Sequence, residues 1–392
     1  MTEIELSTMV YMQDLNLDAF EESAGIHTRL RPMDWTTGWN SVLQIGLYQI
    51  GPDISEVGST WLDNLKVMHA LRPFQQEEMQ ALNGSSGFLP TSWPAGEGNA
   101  PGQRYSVPWL ADTRLFYYRR DLLARAGIDE KTAFSTPEAF YETLCQLRAS
   151  GLAYPLAMAT GGLSLHNLAC YVWGRGGHFR SPDYSKLALV EPEARQGMFD
   201  FFRVHDFIHP DSRLQNYAAG DLCYFKGDAA VLFSGNWVMQ MLAYHEQVLP
   251  VVAETTQIAP PAGVPYVGAA HLVIWRHSIH ADEAFQLVRH VTSPEVLRKV
   301  FLHTGGFPAR LDVLNQPPFS TDERLRVVRD CLKRGRSFRS ARLWAGVEMR
   351  LNEMCDQLWA ALFANPDLDL AIEIEQRVKT TAERLEKTLL AG

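Results

Sequence analysis

A chain of 392 residues is too long for one ordinary hydrophobic core and calls for two or three domains. It is 46% hydrophobic and 21% charged, which excludes a disordered or fibrous protein, and its formal charge of -9 argues against nucleic acid as a partner, since phosphate binding needs a basic face. With 10 Trp, 13 Tyr and 19 Phe, it carries more tryptophan than packing alone demands, so some rings are expected to face a ligand.

In chain order, Ile4–Val10 reads as a strand, Leu17–Ser23 as a helix stopped by Gly25, and His27–Arg31 as a second strand ending at Pro32. Gly38–Gln49 carries apolar Val42, Leu43, Ile45 and Leu47 before Gly51-Pro52 breaks it, and Asp53–Val57 is a third strand closing at Gly58. Strands alternating with helices imply βαβ units and a mainly parallel sheet. Residues 83–102, rich in Gly, Pro, Ser and Asn, form a loop. Phe116-Tyr117-Tyr118 is strongly β, Asp121–Ala126 is a short helix with Gly127 at its end, and Thr136-Pro137-Glu138 caps a helix through Leu147. Helices are expected at 193–205, 282–290, 294–301, 322–333, 344–363 and 368–389, which makes the last third mostly helical.

The usual catalytic signatures are missing: no GxSxG, HExxH, P-loop or GxGxxG after a strand is found. Gly174-Arg-Gly-Gly177 follows a helical pattern and reads as a turn. His205 and His209 share an i, i+4 spacing but have no evident third ligand, so neither metal nor cofactor is expected. Cys145, Cys170, Cys223, Cys331 and Cys355 are scattered without pairing or metal spacing, and are expected to be buried and reduced. Lys333, Arg334, Arg336, Arg339 and Arg342 form the one basic run, a solvated connection in its plainest reading and a docking or anion-attracting patch in its sharper ones.

Several segments, in order and spacing, carry a resemblance: Ala24-Gly25-Ile26 before a strand; Gly51-Pro52-Asp53-Ile54 and then Gly58-Ser59-Thr60-Trp61; Tyr105–Arg114 and Tyr118–Leu123; Phe225-Lys-Gly-Asp through Ser234-Gly-Asn-Trp237; Val267-Gly268 through Ile274; Thr292-Ser-Pro-Glu295; and Gly305–Arg310. Together they resemble the extracellular solute-binding proteins of ABC importers, the maltose-binding-protein-like carbohydrate class, over nearly the whole chain. The resemblance implies an α/β, two-lobed periplasmic-binding-protein fold of type II, each lobe a mainly parallel sheet flanked by helices. Lobe I would comprise 1–111 and 266–311, and lobe II 112–265 and 312–392. A three-strand hinge would lie near Leu110–Thr113, Val264–Gly268 and Ala309–Val313, and its bending would close the lobes on a ligand.

The same resemblance implies a non-enzymatic, monomeric, extracytoplasmic component that captures a mono- or oligosaccharide and hands it to ABC permease subunits, its export signal removed. A sugar offers apolar C–H faces and a rim of hydroxyls, so its site needs aromatic platforms and fixed polar groups. The candidates are Ser59, Thr60 and Trp61 after the third strand, Asp112 as hydroxyl acceptor, and Trp237 and Trp344 as second-lobe platforms, with Trp39, His166, Asn167, Gly268 and Ala269 beside them. Trp35, four residues before Trp39, is equally a core or a site residue, as is Trp109. Tyr11 and His271 depart from the family pattern and leave the sugar open. Alternatives are an anionic polyol such as a glycerol phosphodiester, drawn by Arg339 and Arg342, a glycoside-active enzyme using carboxylates such as Asp112, and a partner that docks a sensor.

Overall fold

The computed structural model describes residues 2–9, 15–35, 37–162, 164–182, 186–338 and 343–390. Tyr11, Arg339 and Arg342 therefore lie outside the described residues. Among those described, nine strands form: β1 (Thr2–Thr8), β2 (Ile26–Pro32), β3 (Ile54–Gly58), β4 (Val107–Arg119), β5 (Leu156–Met158), β6 (Val231–Gly235), β7 (Thr256–Ala259), β8 (Val267–Ile274) and β9 (Phe307–Pro308). Two compact units arise. The first holds Met1–Asp112, Val267–Lys333 and Ser337–Ala345; the second holds Thr113–Tyr266, Arg334–Arg336 and Gly346–Gly392.

In the first unit β1 pairs in parallel with β2 (Ile4 opposite Thr28) and with β3 (Leu6 opposite Ile54), while β8 joins β3 antiparallel, Gly58 opposite Ala270. The alternation of β1 puts Ile4 and Leu6 into the core with Phe20, Ile54, Leu272, Ile274 and Leu287. The Leu17–Ala24 helix ends where expected because Gly25, at φ 67°, takes the left-handed conformation and its N–H donates to the Glu21 carbonyl. Trp109 is wholly buried there and donates its indole N–H to the Val291 carbonyl at 3.1 Å, which settles it as a core residue. Trp275 is also wholly buried and donates to Ser55 Oγ at 2.6 Å.

In the second unit β4 runs antiparallel to both β6 (Phe116 opposite Phe233) and β7 (Tyr118 opposite Gln257), and β5 lies parallel to β6. Phe116 packs on Phe134, Phe140 and Phe233, and Trp359 of the Trp344–Ala364 helix packs on Phe201 and Phe202, with Tyr171 joining the two groups through Phe233 and Phe201. The Pro137–Ala149 helix is capped as its sequence implies, the Thr136 hydroxyl accepting from the Ala139 N–H at 3.1 Å.

The sequence reading put residues 312–333 with the second lobe, but their packing places them in the first unit. Phe319 lies against Phe301 and Phe307, and Asp312 accepts two hydrogen bonds from the Arg310 guanidinium at 2.9 and 2.6 Å. The third set of crossings consequently falls between Lys333 and Gly346. The five cysteines form no disulfide; four are buried, whereas Cys145 is only half-buried, off the Phe140, Thr143, Leu144 and Leu147 face of the Pro137–Ala149 helix. No described helix is long and apolar enough to cross a membrane.

Candidate functional site

In the first unit the chain leaves β3 at Gly58 and turns through a single 3-10 turn, Ser59–Trp61, before the Leu62–Val67 helix. That turn buries Ser59 and Thr60 and leaves Trp61 half-buried. The β3–β8 register, Gly58 opposite Ala270, carries this strand end toward Ala269 and Gly268, which are buried at the start of β8. Trp61 stands between two further indoles, 5.6 Å from both Trp35 and Trp39 between ring centroids, with interplanar angles of 56° and 51°. Trp35 is 43% exposed. Two glycines lie beside this group: a Cβ on Gly38 would meet Met9 Sδ at 3.0 Å, and one on Gly58 would make ordinary contact with Trp61 and Trp35.

Beside this group Glu56 is fully buried, one carboxylate oxygen accepting from the Thr8 hydroxyl at 2.7 Å and from the Met9 N–H at 2.6 Å. These two bonds tie the end of β1 to β3. His271, which the family pattern left unexplained, is wholly buried on β8, its Nδ1 3.0 Å from Ser106 Oγ. Burial, reinforced by the nearby charges of Arg104 and Lys66, pushes its pKa down to about 3, so it is a neutral structural group. Asp112 is half-buried on β4, where the first segment of this unit ends.

Trp344 was expected in the second lobe, yet it belongs to the first unit, where it is 3% exposed and packs on Phe338 at 4.8 Å. Its ring is tilted 36° on that of Phe338, and its buried indole N–H has no hydrogen-bond acceptor among the described residues.

In the second unit the candidate residues converge on a side chain the sequence reading did not single out, Arg114. Its Nε donates to Tyr217 Oη at 3.2 Å and its Nη2 to His166 Nδ1 at 3.0 Å. The guanidinium also lies 5.2, 5.1 and 5.3 Å from the ring centroids of Tyr217, Trp237 and Tyr266, and cation–π attraction at a buried arginine contributes about 2 kcal/mol per favourable face. His166 stacks on Tyr266 at 4.3 Å and approaches Glu348 Oε1 with Nε2 at 3.0 Å. Asn167 is fully buried and accepts from the Tyr217 hydroxyl at 3.2 Å.

Trp237 is held at both edges. Its indole N–H donates to Asp221 Oδ2 at 2.9 Å, and its other edge lies so close to Gly235 that a Cβ there would sit 1.9 Å from the ring. Tyr217 meets it edge to face at 5.2 Å. Asp221 is buried, which pushes its pKa up to about 6, the hydrogen bond from Trp237 and the charge of Arg114 opposing that rise. The strand end is fixed in turn, since Tyr117 Oη donates to the Gly235 carbonyl at 2.8 Å and Asn236 accepts from the Thr113 N–H at 2.8 Å.

Each unit thus presents tryptophan close to the end of a strand, braced by buried polar groups. Trp39, Ser59, Thr60 and Trp61 are brought together in the first, and His166, Asn167 and Trp237 in the second. Arg114, Tyr217, Asp221, Tyr266 and Glu348 escaped the sequence reading, although Arg114 closes the Tyr105–Arg114 segment that was singled out. Among the described residues, no three His, Cys, Asp or Glu side chains are grouped to hold a metal ion.

Residues 7–297 match the model of the bacterial extracellular solute-binding protein family. A maltotriose-binding protein from Pyrococcus abyssi is 20% identical over 315 residues, which cover 78% of this chain and 66% of that protein's length. Maltose-bound MalE3 of T. maritima superposes with a TM-score of 0.83 at 18% identity, covering 99% of this chain and 100% of that one. The sugar-binding protein MalE of Xanthomonas citri gives 0.81 at 18%, covering 99% and 98%. A solute-binding protein of Thermotoga lettingae bound with alpha-D-tagatose gives 0.82 at 18%, covering 99% and 100%. At such identities the likeness shows the fold, the two-lobed α/β architecture expected above.

Proposed function

The chain belongs to the bacterial extracellular solute-binding protein family, and from that premise we propose that it is the substrate-binding component of an ABC importer that captures a mono- or oligosaccharide and delivers it to the permease subunits. The observation that carries the reading is the make-up of the two residue groups: half-buried tryptophans next to buried polar side chains, the pairing that C–H faces and hydroxyls require. The named relatives support it, one being a maltotriose-binding protein and two others holding maltose and alpha-D-tagatose in their structures. On this reading Trp39, Trp61 and Trp237 are the platforms, and Ser59, Thr60, Asp112, His166, Asn167, Gly268 and Ala269 frame the hydroxyl contacts. Trp344 serves as packing. The protein works outside the cytoplasmic membrane, as a monomer, without catalysis, and hinge bending is the capture motion.

Calorimetry against a panel of mono- and oligosaccharides is the test. Saturable binding of at least one sugar, with the sugar recovered unchanged, supports the proposal. Binding of a glycerol phosphodiester but no sugar would replace the ligand class, and turnover of an oligosaccharide would overturn the binding-protein reading.

A further inference from the structure

We infer that Asn352 and Asp356 are positioning residues of the second unit's candidate site: from the Trp344–Ala364 helix they hold the start of the Leu165–Gly174 helix, and through it they set where Asn167 stands. The inference rests on the saccharide-binding reading for its effect on affinity, while its geometry concerns the free protein.

The first N–H groups of a helix have no partner within it, and a serine just before the first turn ordinarily accepts from one of them. Ser164 does not. Its backbone, at φ -68° and ψ -16°, is helical rather than extended, and its side chain makes no capping bond. The acceptors come instead from far along the chain: Asn352 Oδ1 accepts from the Leu165 N–H at 3.2 Å, and Asp356 Oδ1 from the Gly162 N–H at 3.1 Å. Four residues apart, Asn352 and Asp356 lie one above the other on the same helix face. The Asn352 amide is itself oriented, since its Nδ2 donates to the Glu348 carbonyl at 3.1 Å, which leaves its oxygen for Leu165. Val347, Leu351, Leu358 and Trp359, all buried, seat the helix that carries both side chains.

Asn167 inherits this placement. Its N–H donates to the Ser164 carbonyl at 3.1 Å, and its wholly buried side chain accepts from Tyr217 Oη at 3.2 Å. Its Nδ2 has no acceptor among the described residues. A short buried side chain so held follows its backbone, and a binding group keeps its aim only as well as the shell behind it does. The segment leading to Tyr217 is anchored separately, the Leu214 N–H donating to Thr160 Oγ1 at 2.7 Å and the Gly161 N–H to the Gln215 carbonyl at 2.9 Å. It is the Asn167 end of the Tyr217–Asn167 bond that Asn352 and Asp356 hold.

The experiment compares the native protein with Asn352→Ala, Asp356→Ala and Asp356→Asn, first without sugar and then with maltotriose. In the free proteins, amide hydrogen exchange should quicken about tenfold at Leu165 in Asn352→Ala and at Gly162 in Asp356→Ala. Nitrogen NMR should show the Asn167 side-chain amide moving in both. Asp356→Asn keeps an oxygen that accepts from Gly162 and should restore both signals. Maltotriose affinity should fall about tenfold in each alanine variant and return to within about twofold of native in Asp356→Asn. The two alanine variants act at different N–H groups, so if one fails to fold the other decides.

An Asn167 side-chain signal unmoved by the alanine variants would overturn the positioning role. So would alanine variants that lose stability yet bind maltotriose at native strength, or an Asp356→Asn protein as impaired as Asp356→Ala. If no saccharide binds the native protein, the function proposed above falls instead, and the exchange and Asn167 measurements decide the positioning by themselves.

Discussion

The two tryptophan groups are built in opposite ways. In the first unit Trp35 and Trp39 each touch Trp61, which lies close to Gly38 and Gly58. In the second unit Trp237 owes its place to Asp221, Gly235 and Arg114, and Arg114 in turn to His166 and Glu348. One group is a local hydrophobic cluster and the other a long-range polar network. The contrast has energetic content: apolar contacts degrade gradually when trimmed, whereas a buried charge left without partners costs several kcal/mol at one stroke.

The largest effect is expected where a ring is simply core. Trp344→Ala should lower unfolding free energy by about 3 kcal/mol in chemical denaturation, and an unchanged midpoint with weakened sugar binding would return Trp344 to the ligand face. Next comes Gly235→Ala, whose added methyl group would lie inside the contact distance of Trp237. Displacing the ring should cost about 2 kcal/mol of stability and most of the sugar affinity; normal affinity would mean Trp237 is no platform.

Acid should divide the two units. His271 has a pKa of about 3 in the folded protein against roughly 6.5 when unfolded, so its contribution is full above pH 6.5 and is lost as pH falls toward 3, by about 1.4 kcal/mol per pH unit at the steepest. Asp221 has the reverse sign. Its raised value, about 6 against roughly 3.9 unfolded, contributes stability below pH 4 that is lost as pH rises through 6. Denaturation from pH 7 to 4 should show the loss flattened in His271→Gln and deepened in Asp221→Asn; identical slopes in all three proteins would remove both assignments.

The smallest effect belongs to the most exposed ring. Trp35→Ala should change stability by less than about 1 kcal/mol, while Trp61→Ala, which removes the central ring, should cost more in both stability and sugar affinity. Equal effects would show that the three indoles do not form a graded group.

Much of the first unit's candidate site was legible in the sequence because its residues lie within short, strongly patterned segments. A strand ending at Gly58 places Ser59, Thr60 and Trp61 directly after it, whereas Trp35 precedes the Gly38–Tyr48 helix and so meets Trp61 without sharing a helix face with Trp39. The second unit's candidate site was legible only in its pieces. Trp237 follows a recognisable Gly-Asn pair, but nothing near it in sequence announces Arg114 or Glu348, which reach it through strand pairing and a helix from the far end of the chain. The same limit misplaced residues 312–333, since helix periodicity reports which face of a helix is apolar and not which core receives it.

By itself, the sequence determined the elements, their α/β alternation, the family and the presence of aromatic rings next to strand ends, because propensity, capping and periodicity act over a few residues. Only the tertiary structure decided which rings pack and which stay partly open, that Trp109, Trp275 and Trp344 are buried, and that His271 is neutral while Asp221 titrates near 6. Burial and charge pairing are properties of neighbours distant in the chain, and those neighbours exist only once the chain has folded.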